Sequence, residues 1–168
     1  DVTDLLHTDG QDNLLAVRLE NREESSRWYP GAGLYRNVHL ITTNKTHIPV
    51  WGTHVTTPHV EKEFATVRLR TNVNTAKGEN LKVKTSIYTK DKQKVGEKTT
   101  TLKAGNSLEK VDQNMLVENP QLWSPESPNL YTAVTTILVD NKEVDRYETR
   151  FGFRTVEVVA ERGFYLNG

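Results

Sequence analysis

Residues 81–88 read Leu-Lys-Val-Lys-Thr-Ser-Ile-Tyr, alternating between side chains that suit a core and side chains that suit water. Successive side chains of an extended strand point to opposite faces, so Leu81, Val83 and Ile87 share one face and the lysines between them lie on the other. The β-branched residues of this stretch also fit a pleated sheet surface. The segment therefore predicts a β-strand with one buried face.

The same alternation recurs along the chain, and turn-forming residues such as Asp140-Asn141 separate the runs. The pattern predicts seven short strands, near 50–57, 63–73, 81–90, 94–102, 108–117, 130–139 and 143–154. Short strands at such spacing are typical of an antiparallel β-sandwich, so we predict an all-β fold. The sequence favours one helical turn, near Val2 to Leu6.

The first 42 residues are organised differently, with two predicted strands at 14–20 and 35–41 on either side of a long loop. Two strands cannot bury both faces of a sheet by themselves. We therefore expect this part to be the end of a domain that begins upstream. Its two strands are expected to be disordered, to fold back on the sandwich, or to pair with another copy of the chain.

Composition excludes several classes of partner. The 168-residue chain carries 22 basic and 22 acidic residues, so its formal net charge is zero, which argues against nucleic acid or an anionic membrane surface. The sequence contains no run of about 18 apolar residues, so it predicts no membrane-spanning helix. The absence of cysteine excludes disulfides and thiolate metal sites. This composition is compatible with a cytosolic, periplasmic or secreted location.

Several segments together resemble family 2 glycoside hydrolases, in that family's order and spacing. They are NLLAVRLEN at 13–21 with SSRWYPGAGLYRNV at 25–38, NPQLWSPESPNLY at 119–131, FGFR at 151–154 and GFYLNG at 163–168. The form RWYPGAG is most similar to β-galactosidase-like members. β-Glucuronidases and β-mannosidases share the architecture.

The resemblance implies three parts. Residues 1–43 would be the C-terminal part of a sugar-binding jelly-roll domain, 44–156 an immunoglobulin-like β-sandwich domain, and 157–168 a truncated linker into a missing catalytic barrel. The chain is then a non-catalytic fragment that braces the jelly roll against the barrel. The parent enzyme would hydrolyse terminal β-galactosides with retention, through a glycosyl-enzyme intermediate.

No catalytic residue is predicted within the chain. Retaining hydrolysis requires two carboxyl groups about 5–5.5 Å apart. The resemblance places both on glutamates of the barrel, one of them in an Asn-Glu-Pro context. Glu118-Asn119-Pro120 has the wrong order, and the adjacent pair Glu23-Glu24 is typical of a solvated loop.

No cofactor is expected in this chain either. Zinc requires three or four converging ligands, whereas the five histidines are scattered, at His7, His39, His47, His54 and His59. The resemblance implies magnesium or sodium beside the barrel of the parent, held by ligands that this chain does not contain.

The loop at Arg27, Trp28 and Tyr29 is the candidate substrate-binding site. The resemblance implies that it reaches toward the barrel mouth, where Arg27 would donate hydrogen bonds and an aromatic face would stack on a sugar. Some relatives use an aspartate near the position of Ser25 or Ser26 to hydrogen-bond the sugar, and this sequence departs from that pattern with serine. The alternative is that the two aromatic residues pack against the jelly roll.

Two functions of other classes remain open at this point. One is a free-standing carbohydrate-binding module that uses the same three residues of the loop. The other is an immunoglobulin-like or fibronectin-like adhesion domain.

Trp123 lies between Pro120 and Pro125, which favours a packing role at a sandwich end or domain junction over a sugar platform.

Overall fold

A computed structural model describes residues 1–24 and 31–168. The chain divides into two compact units, Asp1–Ile41 and Thr42–Gly168. The first contains a 3-10 helix, Thr3–Leu5, where the sequence favours a helical turn. The second contains nine strands: β1 Thr53–Val60, β2 Phe64–Asn74, β3 Asn80–Tyr88, β4 Lys94–Lys103, β5 Leu108–Glu118, β6 Tyr131–Val139, β7 Lys142–Phe151, β8 Val156–Val159 and β9 Gly163–Leu166.

Strands β1 to β7 form two antiparallel sheets, with the strand orders β1-β2-β5 and β4-β3-β6-β7. The prediction of an all-β antiparallel sandwich is confirmed. Asp140 and Asn141 both have positive φ in the tight turn between β6 and β7. Such a turn matches the twist of the strands that it joins, and these two residue types tolerate it.

The core fills the space between the two sheets. In β2 the side chains of Ala65, Val67, Leu69 and Val73 are fully buried, while the alternate residues Arg68 and Arg70 face outward. Ala65, Val67 and Leu69 belong to one hydrophobic cluster of the core and Val73 belongs to a second. Between the two clusters lies an intermediate level of the core that carries buried polar side chains. The alternation read from the sequence therefore assigns the buried face of the strand correctly.

One polar residue from each of four strands occupies that intermediate level. We call this set the polar layer; its members are Thr71 of β2, Thr85 of β3, Gln113 of β5 and Thr135 of β6, all buried. Strand register places Thr71 opposite Val111 and Thr85 opposite Thr135. Each sheet thus contributes two members of the layer.

Strand β1 lies at the edge of the three-stranded sheet, and its ladder with β2 is irregular. The pairing shifts between Thr56 and His59, and Pro58 lies within that break. Proline cannot donate a backbone hydrogen bond, so its position at a bulge of an edge strand agrees with the chemistry of the residue.

The predicted strands at 14–20 and 35–41 are wrong, because the structure has no strand in either segment. Their apolar side chains are exposed, including Leu14 and Leu40. A strand forms when a neighbour completes its backbone hydrogen bonds, and among the described residues no neighbour pairs with these segments. Pairing with another copy of the chain stays a prediction, which molecular size measured against concentration would test.

Most residues of the predicted linker form a β-hairpin. Strands β8 and β9 make a hairpin in which Val156 pairs with Leu166 and Val159 with Gly163. Gly163 has a φ of 104°, which suits glycine at the turn. Across the described residues, the structure has no helix with the length and apolar character needed to cross a membrane.

Candidate functional site

The predicted substrate-binding residues Arg27, Trp28 and Tyr29 lie outside the described residues, so their sugar contact stays a prediction. The structure instead describes three features of the sandwich: a clamp around Trp123, a turn that presents Trp51, and a cationic groove on one sheet face.

Trp123 connects the segment before β6 with the residues that follow β7, and we call this set of contacts the clamp. Its backbone N–H donates to the Phe153 carbonyl at 2.7 Å, and its carbonyl accepts from Asn167 Nδ2 at 3.0 Å. The Arg154 guanidinium lies 5.0 Å from the indole centroid, within the range of a cation–π contact. A Cβ on Gly152 would lie 2.7 Å from the Trp123 Cβ, so only glycine fits. These contacts agree with the packing role predicted for Trp123.

A tight turn before β1 presents Trp51 to solvent. The Gly52 N–H donates to the Pro49 carbonyl at 2.7 Å, and the Trp51 N–H donates to the Tyr147 hydroxyl at 3.2 Å. Trp51 has a φ of 57° and is 88% exposed. Positive φ is unfavourable for a bulky side chain, so the surrounding hydrogen bonds must hold this conformation. The alternation pattern of the sequence carries no signal for such a turn.

An open groove of about 780 Å³ lies on the outward face of the four-stranded sheet. Its floor includes Leu130 and Val134, and its rims carry basic residues from the β3–β4 turn and from β7. The basic residues are Lys90, Lys92, Arg146 and Arg150, and Glu148 is the one carboxylate that the described part of the chain adds to the lining. Sequence analysis missed this groove because its residues come from distant parts of the chain.

Two carboxyl groups of the sandwich have a lowered pKa. Hydrogen bonds from Lys94 and two neighbouring side chains lower the pKa of Glu97 to about 2. Hydrogen bonds from Thr46 and Thr75 lower the pKa of Glu79. The general acid of a glycosidase needs a raised pKa, so neither group suits that role. Among the described residues, no group of three or more His, Asp or Glu side chains converges to hold a metal.

Comparison with known proteins decides the family. The sequence model of glycosyl hydrolases family 2 matches residues 46–154, which include all seven strands of the sandwich. The chain belongs to glycosyl hydrolases family 2. The matched range ends at Arg154, the residue that stacks on Trp123 in the clamp.

Similarity to individual family 2 proteins extends beyond the matched range. The chain is 40% identical over its full length to β-galactosidase BoGH2A of Bacteroides ovatus, of which it covers 20%. It is 29% identical to a β-glucuronidase of Formosa agariphila, with 95% of the chain and 19% of that protein covered. A β-glycosidase structure from Bacteroides vulgatus superposes with a TM-score of 0.74 at 34% identity, covering 84% of the chain and 18% of that structure.

The family 2 chain therefore spans about a fifth of the length of these relatives. These relatives include both a β-galactosidase and a β-glucuronidase, so members of the family that share this region act on different glycosides. The resemblance drawn from the motifs of the sequence is confirmed at the level of the family.

Proposed function

We propose that this family 2 chain works within a longer glycosidase, where its sandwich holds a sugar-binding jelly roll against a catalytic barrel. The observation that carries this proposal is the full-length match to BoGH2A combined with coverage of only 20% of that enzyme. The chain by itself is proposed to be inactive. The reaction of the whole enzyme is proposed to be retaining hydrolysis of terminal β-galactosides.

Exposed apolar side chains support a bracing role. In addition to Trp51, the β8–β9 hairpin exposes Val158 by 77% and Phe164 by 66%. Exposed apolar patches are typical of surfaces that another protein surface covers, because burying them is favourable. Coverage by further domains of the same enzyme accounts for both sites.

A chimera tests the bracing role. The matching fifth of BoGH2A is replaced by this chain, and hydrolysis of a chromogenic β-galactoside is measured beside the unmodified enzyme. Activity within about tenfold of the parent is expected, because the chain is 40% identical over its full length to the part of BoGH2A that it replaces. A second chimera carries Trp123→Ala, which loosens the clamp and is expected to lower activity and heat resistance together. A folded but inactive first chimera contradicts the proposal.

Chromogenic substrates also test which glycoside the whole enzyme hydrolyses. The complete enzyme that contains this chain is assayed with a β-galactoside and a β-glucuronide. The 40% identity to BoGH2A supports preference for the galactoside. Higher kcat/KM for the glucuronide assigns the enzyme to the other activity and leaves the bracing role intact. The isolated 168-residue chain is expected to hydrolyse neither.

We also propose that Arg27, Trp28 and Tyr29 contact the sugar in the whole enzyme. An aromatic face and a guanidinium suit the apolar ring face and the hydroxyl groups of a sugar. Trp28→Ala is expected to raise KM more than it lowers kcat, because binding contacts far from the reacting atoms act on ground state and transition state alike. An unchanged KM contradicts this role.

A further inference from the structure

The floor of the groove on the four-stranded sheet is built from outward-facing residues whose backbone is already paired. Val134 pairs with Ser86 on one side and with Glu148 on the other, so β6 has a neighbour on each edge at this level. A ligand above Val134 therefore finds no free backbone groups for strand addition and must be recognised by side chains.

Charge in the groove is strongly unbalanced. Among the described residues, four cationic side chains and one carboxylate line it, in a chain whose net charge is zero. Arg146 lies 3.7 Å from Glu148, at the long end of an ion pair. Lys90, Lys92 and Arg150 make no ion pair within the described part of the chain.

The cations are spread along the groove instead of meeting at one point. Arg146 and Arg150 are four residues apart on β7, about 14 Å along an extended strand. Lys90 and Lys92 belong to the turn between β3 and β4, next to Tyr88. This arrangement fits an extended ligand with several separated negative charges better than one compact anion.

We propose that this groove binds oligosaccharides that carry carboxylate or sulfate groups. The cations pair with the acidic groups, and arginine presents a planar fork that matches such oxyanions. Leu130, Val134 and Tyr88 offer an apolar floor for the C–H face of a sugar ring. This inference goes beyond the bracing role, and it holds whichever glycoside the whole enzyme hydrolyses.

Titration of the 168-residue chain with tetragalacturonate at low ionic strength tests the proposal. Saturable heat of binding is expected, together with NMR shifts at the Val134 methyl groups. Neutral maltotetraose is the matched probe without charge, and a heparin tetrasaccharide separates sulfate from carboxylate recognition. Binding of either acidic probe at Val134 supports the proposal, and binding of neither overturns it.

Two substitutions in the groove and two outside it give matched controls. Arg150→Gln and Lys90→Gln are each expected to weaken binding about tenfold, the usual effect of losing one charged hydrogen bond. Arg162→Gln in the β8–β9 turn and Lys103→Gln at the far end of β4 remove the same charge elsewhere and are expected to leave affinity unchanged. Thermal unfolding confirms that each variant is folded.

Three further results would also overturn the proposal. Equal weakening by Lys103→Gln and Lys90→Gln assigns binding to overall charge. Maltotetraose that binds as tightly as tetragalacturonate removes the role of the cations. An acidic pentaglutamate peptide that binds more tightly than either acidic oligosaccharide assigns the groove to a protein partner.

Discussion

The hydroxyl of Thr85 donates a 2.7 Å hydrogen bond to the side-chain oxygen of Gln113, and this bond joins the two sheets inside the core. The Gln113 amide nitrogen in turn donates to the Val83 carbonyl at 2.9 Å and contacts Thr100 Oγ1 at 3.1 Å. A buried amide is stable only when its donors and acceptor have partners. Gln113 therefore acts as a polar tie between the sheets.

Replacing Gln113 with alanine should destabilise the sandwich. The change removes the tie and leaves a cavity between two packed sheets, at a cost of about 2–4 kcal/mol in the free energy of unfolding. Urea unfolding followed by fluorescence measures this loss. Gln93→Ala in the exposed β3–β4 turn is the control and should change stability by less than about 0.5 kcal/mol. Equal effects of the two substitutions would show that the tie contributes nothing.

Thr71 gives the opposite prediction within the same layer. Its buried hydroxyl has no hydrogen-bond partner among the described residues. Thr71→Val keeps the shape and removes the unpaired group, so stability should rise by about 1–2 kcal/mol. Thr85→Val, a matched change, removes the donor to Gln113 and should lower stability instead. A destabilised Thr71→Val protein contradicts the assignment and indicates that the hydroxyl is satisfied, as by a buried water.

Gly152 allows a direct test of the clamp around Trp123. A side chain at this position would overlap the indole, so Gly152→Ala should lower stability by about 1–3 kcal/mol and alter near-UV circular dichroism. Gly105→Ala is the control, because the nearest atom to its added Cβ lies 3.8 Å away. The idea fails if both variants melt at the temperature of the unmodified chain.

Stability below neutral pH should depend on Glu97. Its pKa is lowered from 4.5 to about 2 by Lys94, Ser86 and Lys84, so the carboxylate stabilises the fold above pH 4.5. This contribution is lost as pH falls from 4.5 toward 2. Glu97→Gln should therefore melt below the unmodified chain at pH 7 and converge with it in acid. Glu126→Gln, at an exposed position without an ion pair in the described residues, should follow the unmodified curve; a Glu97→Gln difference that persists in acid contradicts the assignment.

Much of the sandwich could be predicted because strand alternation is a local property of the sequence. Buried and exposed residues alternate along β2 and β5 as the pleat requires. The same rule failed at 14–20 and 35–41. Alternation reports which face a strand would bury, but the strand also needs a hydrogen-bonding neighbour, and that depends on residues far away in the sequence.

The groove and the clamp depend even more on contacts between residues that are far apart in the sequence. The groove joins Lys90 to Arg150 across three strands, and the clamp joins Trp123 to Asn167. Neither pair is close in sequence, so spacing alone could not bring them together. The prolines near Trp123 predicted a packing role but not its partners.

The irregular edge at β1 has a consequence for the solubility of the sandwich. A long flat edge strand presents a row of unpaired amides on which a second molecule can grow a sheet, the first step toward aggregation. Pro58 has no N–H group with which to pair, and the register shift between Thr56 and His59 interrupts the regular ladder of this strand. A sandwich made as a separate piece thus carries its own protection against sheet-to-sheet polymerisation on this side.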